Sequence, residues 1–187
     1  MEEGSVARYR LFADLLSCPT ASLPARAREG ASLLASVDGD AADLVDRFRD
    51  FLEETPPGRL EEIHTGVFDL QPICCPYVGY NLFGEHYRRG VFMARLREQY
   101  RAHSFPAGDE LPDHIVVLLR YLAGRHDEET DCDLVTECLL PAAEKMVNGF
   151  ADGTNPYRGI LEALVLLLRR EAAESGENAD SRLEAGR

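Results

Sequence analysis

Apolar residues in this chain recur every three or four positions almost from end to end, and nowhere do they alternate over a strand's length. A spacing near 3.6 is what one buried helix face requires, whereas a half-buried strand needs a period of two. Val6, Tyr9, Phe12, Ala13, Leu15 and Leu16 cluster on one such face, with Ser5 placed as an N-cap. Leu44, Val45, Phe48, Phe51 and Leu52 form a stronger stripe that Thr55-Pro56-Pro57 stops. Asn155-Pro156 is a cap-plus-first-turn signal for a last helix to about Glu174, with Ile160, Leu161, Leu164 and Leu168 inward. No internal repeat is present, and the length suits one sizeable core. The pattern predicts an all-α, single-domain globular helical bundle of about seven to nine helices. The domain is expected over 1–174, and the polar stretch 175–187 is expected to fray.

Between these anchors, proline and glycine set the punctuation. Pro24 opens a segment reaching about Val37, and Asp38-Gly39-Asp40 reads as a turn. Leu60 to Val67 is a shorter helix. Pro72, Pro76, Gly79 and the adjacent Cys74-Cys75 make 69–80 an ordered loop, apolar enough to need something to pack on. A helix from about Glu85 to Arg101 carries Phe92, Leu96 and Tyr100 on one face. After a break at Ser104–Asp109, Leu111 to Gly124 is expected to be helical, burying Ile115, Leu118, Leu119 and Leu122. An acidic run from Asp127 leads into a helix from about Leu134 to Phe150, in which Pro141 predicts a kink or restart.

The 45% hydrophobic and 28% charged composition is that of a soluble globular protein. Met1-Glu2-Glu3-Gly4 lacks the apolar core of a secretory signal, and Ala163–Leu168 is too short to span a bilayer. The expected location is therefore cytoplasmic. A net charge of −13 disfavours nucleic acid; it suits a cationic partner, or simply keeps the protein in solution. The five cysteines form no Cys-x-x-Cys pair and read as buried free thiols. His64, Cys74, Cys75 and His86 match no metal-ligand spacing, and no phosphate loop, nucleophile elbow or His-Glu-x-x-His motif occurs. No metal, cofactor or catalytic residue is thus expected. A small enzyme using Cys74 with His64 or His86 is the alternative, although no third orienting group is evident.

Two constellations remain. Pro112 places Asp113-His114 near a helix start, where Asp113 would meet the positive dipole end and His114 would be a surface imidazole. Helical neighbours point about 100° apart, so the two do not form a catalytic dyad. Tyr77, Tyr80 and Phe83 lie in or beside the irregular stretch; all three can fill the core, the expected place for Phe83, while aromatics with a polar tip left wet also suit a peptide groove. Charge is uneven as well. Arg88, Arg89, Arg95, Arg97 and Arg101 make one helix basic, while 127–137 holds six carboxylates and no Lys or Arg. Both stretches suit solvated faces, or attraction to charged surfaces of a partner.

Phe68-Asp69-Leu70, Pro76-Tyr77-Val78-Gly79-Tyr80-Asn81-Leu82-Phe83-Gly84, Arg89-Gly90 and Glu110-Leu111-Pro112-Asp113-His114 together resemble the TorD/DmsD/NarJ-type redox-enzyme maturation chaperones. The Tyr-Val-Gly-Tyr form is nearest the NarJ-like, nitrate reductase assembly branch. The resemblance implies an all-helical, non-catalytic, cytoplasmic chaperone. Its client would be the catalytic subunit of a molybdopterin-dependent respiratory oxidoreductase, held by its N-terminal leader until the molybdenum cofactor is inserted, before membrane attachment or export. It also implies that Pro112, Asp113 and His114 bind the leader, and a groove there would draw on Tyr77, Tyr80 and Phe83. Nucleic acid and membrane insertion are not expected, and the chaperone is a monomer or a dimer. A structural subunit of a membrane redox complex is a further alternative.

Overall fold

Every residue of the helix Ile115–Leu122 except Arg120 is buried, and a helix apolar on all sides belongs at the centre of a bundle. A computed structural model of the chain describes residues 3–69, 74–124, 128–151 and 154–185. In chain order the helices are α1 (Glu3–Leu15), α2 (Leu23–Leu34), α3 (Gly39–Glu54), α4 (Pro57–Phe68), α5 (Val78–Phe83), α6 (Tyr87–Ala102), α7 (Ile115–Leu122), α8 (Glu128–Asp133), α9 (Leu140–Asn148) and α10 (Pro156–Ala185). A π-helical stretch, Leu134–Leu139, joins α8 to α9 without a break, so the described residues form nine helical rods. No strand occurs among them, and the all-α, single-domain expectation holds.

Around α7 the packing follows the stripes. α1 lies against α7 and α2, α3 sits between α2 and α10, and α9 packs on α10 and α5. Phe48 of α3 meets Tyr157 of α10 edge-on at 5.1 Å, and Tyr157 in turn meets His64 and Phe68 of α4 at 5.6 and 5.3 Å. These aromatic contacts tie α3, α4 and α10 together. α1 and α10 are further joined by Glu171, which accepts from Arg8 at 2.7 Å and from the Tyr9 hydroxyl. Burial is the main reason the Tyr9 phenol is held far above its usual range, and Glu171's charge adds to it.

Several boundaries differ from the sequence reading. Ser5 is not a cap: α1 begins before it, and its buried hydroxyl accepts from Arg8 one turn on. Asp38 caps α3, accepting from the Ala41 amide at 2.9 Å, so part of the expected turn is already helix. The acidic run is itself helical from Glu128. Pro141 has the anticipated effect in a specific form. The Leu140 amide reaches back five residues to the Val135 carbonyl, and Pro141 then stands in the first turn of α9, where its missing N–H costs nothing. α10 continues past Glu174 to Ala185, because beyond Gly176 the chain holds no proline to stop it.

The expected loop 69–80 lies partly outside the described residues (70–73), and its last part is helix α5. Conversely, Leu111 to His114 precede α7 rather than forming its first turn. One contact explains both shifts. Tyr77 and His114 form an isolated antiparallel bridge, in which the Val78 amide donates to the Asp113 carbonyl at 2.7 Å and the Ile115 amide to the Pro76 carbonyl at 2.8 Å. The bridge holds both segments extended, and each starts its helix immediately afterwards.

α1 and α2 meet at Gly30, where an added Cβ would overlap the Leu11 side chain, itself buried. Gly30→Val should therefore destabilise the protein by about 1–3 kcal/mol through overpacking. Urea unfolding will read this; a cost within error of zero would mean the two helices do not meet there.

Candidate functional site

Asp113 has no exposed surface at all, an unusual position for a carboxylate. Its charge is met by Arg89 of α6, whose Nε donates to Oδ2 at 2.8 Å and whose Nη2 lies 3.4 Å from Oδ1. Gly79 makes room for this pair: a Cβ there would lie 2.7 Å from Asp113 Oδ2 and 3.1 Å from Arg89 Cγ. The glycine that reads as a loop breaker is thus a helical residue that lets α5 rest on a buried ion pair. The Arg89 guanidinium also lies 5.2 Å from the Tyr77 ring centre and 5.8 Å from that of Tyr80, within cation–π range of both.

The neighbouring groups are tied to the same frame. Tyr100 of α6 donates its buried hydroxyl to the Pro112 carbonyl at 2.8 Å. Asn81 donates to the carbonyls of Cys75 and Tyr77, both at 2.8 Å, fixing the turn into α5. Phe83 packs edge-on against Phe92 of α6 at 5.9 Å and is half-buried. The Tyr77 ring stands edge-on to His114 at 5.4 Å. Tyr80 leaves 39% of its surface exposed, consistent with a contact role rather than a core one.

His114 is the N-cap of α7, with Nδ1 accepting from the Val116 amide at 3.2 Å. That bond requires Nδ1 to be unprotonated. Burial holds the imidazole pKa below its ordinary value, and the nearby carboxylates of Glu110, Asp113 and Asp69 only partly offset this.

His114 also lines a cleft of about 580 Å³ between the α1–α2 connection, the end of α4 and the segment before α7. Leu16, Phe68, Ile115 and Val116 give it apolar walls, while among the described residues Asp69, Asp109 and Glu110 place three carboxylates around it against one cation, Arg120. This volume falls within the range of small-ligand pockets. Glu110 links cleft and frame, since it lies 3.3 Å from the Tyr77 hydroxyl.

The expected site residues are therefore brought together, but in two layers. His114 faces the cleft, and Tyr77 reaches it through Glu110 and His114. Pro112 and Asp113 are buried beneath, and Asp113 sits just before α7, paired with Arg89. Tyr80 and Phe83 lie outside the cleft walls, on the side facing α6. Arg89 and Tyr100 are the residues that sequence reasoning missed. Their signal was visible: Arg89 precedes Phe92, Leu96 and Tyr100 by three, seven and eleven positions, so an arginine occupies the inward stripe of α6.

The groups that a cysteine enzyme would use are committed elsewhere. His64 donates from Nε2 to the Leu16 carbonyl at 3.2 Å, and His86 caps α6. Cys74 is buried, which pushes its thiol up to about 12 and leaves almost no thiolate at neutral pH. Among the described residues no group of three or more His, Cys, Asp or Glu side chains is placed to hold a metal ion, and no helix is long and apolar enough to cross a membrane.

Comparison with known proteins bears on the same region. Residues 34–150, more than half of the chain, match the sequence profile of a family described as nitrate reductase delta subunit. The nitrate reductase-like protein NarX from Mycobacterium tuberculosis strains CDC 1551 / Oshkosh and ATCC 25618 / H37Rv is 29% identical over 133 residues. That match covers 71% of this chain but 20% of the relative, so the chain spans about one-fifth of NarX. A crystal structure described as that of a redox enzyme maturation protein from Archaeoglobus fulgidus superposes with a TM-score of 0.61 at 19% identity, covering 88% of this chain and 93% of that one. The last likeness shows the fold.

Two measurements test the geometry. Arg89→Met strands a buried carboxylate and should cost about 3 kcal/mol in urea unfolding, whereas a loss below about 1 kcal/mol would mean Asp113 is not desolvated. The second concerns pH. A histidine whose folded pKa is depressed stabilises the fold above its unfolded value near 6.5, and that contribution is lost as pH falls below it. His114→Asn keeps a capping side chain without the titration. Melting temperature between pH 7 and 5 should drop less steeply in this variant than in the parent; parallel curves would remove His114 from the account.

Proposed function

Because this chain belongs to the nitrate reductase delta subunit family of NarJ/TorD-type redox-enzyme maturation chaperones, we propose that its cleft beside His114 holds the N-terminal segment of a molybdopterin oxidoreductase's catalytic subunit. Holding that segment in the cytoplasm would delay membrane attachment or export until the cofactor is inserted. The observation carrying this reading is the cleft itself: apolar walls to take side chains, three carboxylates to meet a basic residue, and a histidine fixed by a cap at its edge.

In this scheme the candidate residues divide the work. His114 contacts the peptide with its ring face and free nitrogen, and Tyr77 borders the entrance. Tyr80 and Phe83 extend the contact surface over the bridge toward α6. Pro112 and Asp113 act from beneath, positioning His114 through the Arg89 pair and the bridge. Burying three or four apolar peptide side chains would yield a gross gain of ~5–12 kcal/mol. Ordering a flexible leader takes back a large part, which leaves dissociation constants of roughly 1–100 µM. Affinity in that range permits release once the client folds over its own N-terminus. Asp69, Asp109 and Glu110 contribute orientation and salt dependence more than affinity.

Calorimetry with a synthetic peptide of the client's first residues is the test. Binding should weaken about tenfold in His114→Asn and fall with added salt, an effect reduced in Glu110→Gln. If the parent protein gives neither heat nor a thermal shift with such peptides, the reading is wrong.

A further inference from the structure

Beyond the cleft, the outward face of α6 has its own chemistry. At about 100° per residue, Arg89, Phe92, Leu96 and Tyr100 turn inward, and Tyr87, Val91, Ala94 and Glu98 turn the opposite way. Tyr87 is 72% exposed and Val91 46%, the two most exposed large apolar side chains of the described residues. Arg88 and Arg95 run along one edge of this strip, Arg97 and Arg101 along the other. None of these four arginines makes an ion pair within the described chain. That is unusual in a protein with 33 acidic residues against 20 basic ones, where most other arginines of the described residues are paired with a carboxylate.

We infer that this face is a second docking surface, taking an acidic, partly apolar helix on the folded body of the client's catalytic subunit. The proposal rests on the chaperone reading above and adds to it a site that does not bind the leader. Charge selects the occupant. A second copy meeting α6 face to face would oppose arginine rows of the same sign. An extended anionic membrane or nucleic acid would meet the whole molecule, whose net charge of −13 repels it beyond the patch. A single acidic helix engages only the patch, within a Debye length of its four cations. Tyr87 and Val91 then supply the desolvated centre, and the arginines the bidentate rim.

The experiment measures two affinities on the full chain: for the N-terminal peptide, and for the full-length catalytic subunit with the cleft saturated by that peptide. The variant reverses four charges, R88E/R95E/R97E/R101E. A companion, Y87S/V91S, keeps the charges and removes the apolar centre, so a folding defect in one does not end the test. The expected result is at least a tenfold loss of subunit affinity in either variant, with the peptide isotherm unchanged. Unchanged subunit binding in both overturns the inference. So does an equal loss of peptide binding, which would assign the arginines to the cleft. Arginine-dependent capture by phosphatidylglycerol vesicles with unaltered subunit binding also overturns it, in favour of a lipid surface. Arginine-dependent subunit binding with no peptide binding by the parent would instead sink the leader reading and leave this surface standing.

Discussion

A carboxylate removed from water needs a counter-charge or its burial costs several kcal/mol, and Asp113 is such a carboxylate. Arg89 must therefore reach inward from a helix that is otherwise well exposed, and α5 must carry a glycine where the pair sits. The turn holding Asp113 is pinned on its other side by the bridge between His114 and Tyr77 and by Tyr100 on the Pro112 carbonyl. Apolar groups of matching shape in place of this pair would cost little stability, since buried ion pairs are weak stabilisers. What such groups would not supply is direction. The fork of Arg89 fixes α5, α6 and the start of α7 relative to one another, and His114 emerges from that junction toward the cleft.

Opposite electrostatics then fall on two sides of one junction. The cleft side carries Asp69, Asp109 and Glu110, while the outer side of α6 carries arginines that have no carboxylate partner among the described residues. Arg89 belongs to the same helix as those arginines yet serves the interior. A partner contacting α6 and a peptide in the cleft would thus touch the two faces of a single packed unit, whose parts have little freedom to move independently.

Much of the fold was legible because amphipathic periodicity is local. The α3 stripe, the Asn155-Pro156 start of α10 and the Pro141 perturbation depend on residues within a few turns of each other. Where the reading slipped, long-range contacts had overruled local propensity. Gly79 looked like a loop residue because its reason for being glycine lies 34 positions away in Asp113, and Leu111–Asp113 looked helical because the bridge to Tyr77 was invisible. The site residues Asp113 and His114 stood out as a pair, yet adjacency concealed their opposite fates. One is sealed in the interior and the other lines a cavity.

By itself, then, the order of amino acids determined an all-helical bundle with a dense patch of chemistry between Phe68 and His114, because burial pattern and punctuation are written at the scale of a helical turn. Only the tertiary structure decided which of those groups meet a ligand. Whether a carboxylate is a charge on offer or one already spent depends on where Arg89 points, and that is set by the packing of helices far apart in the chain.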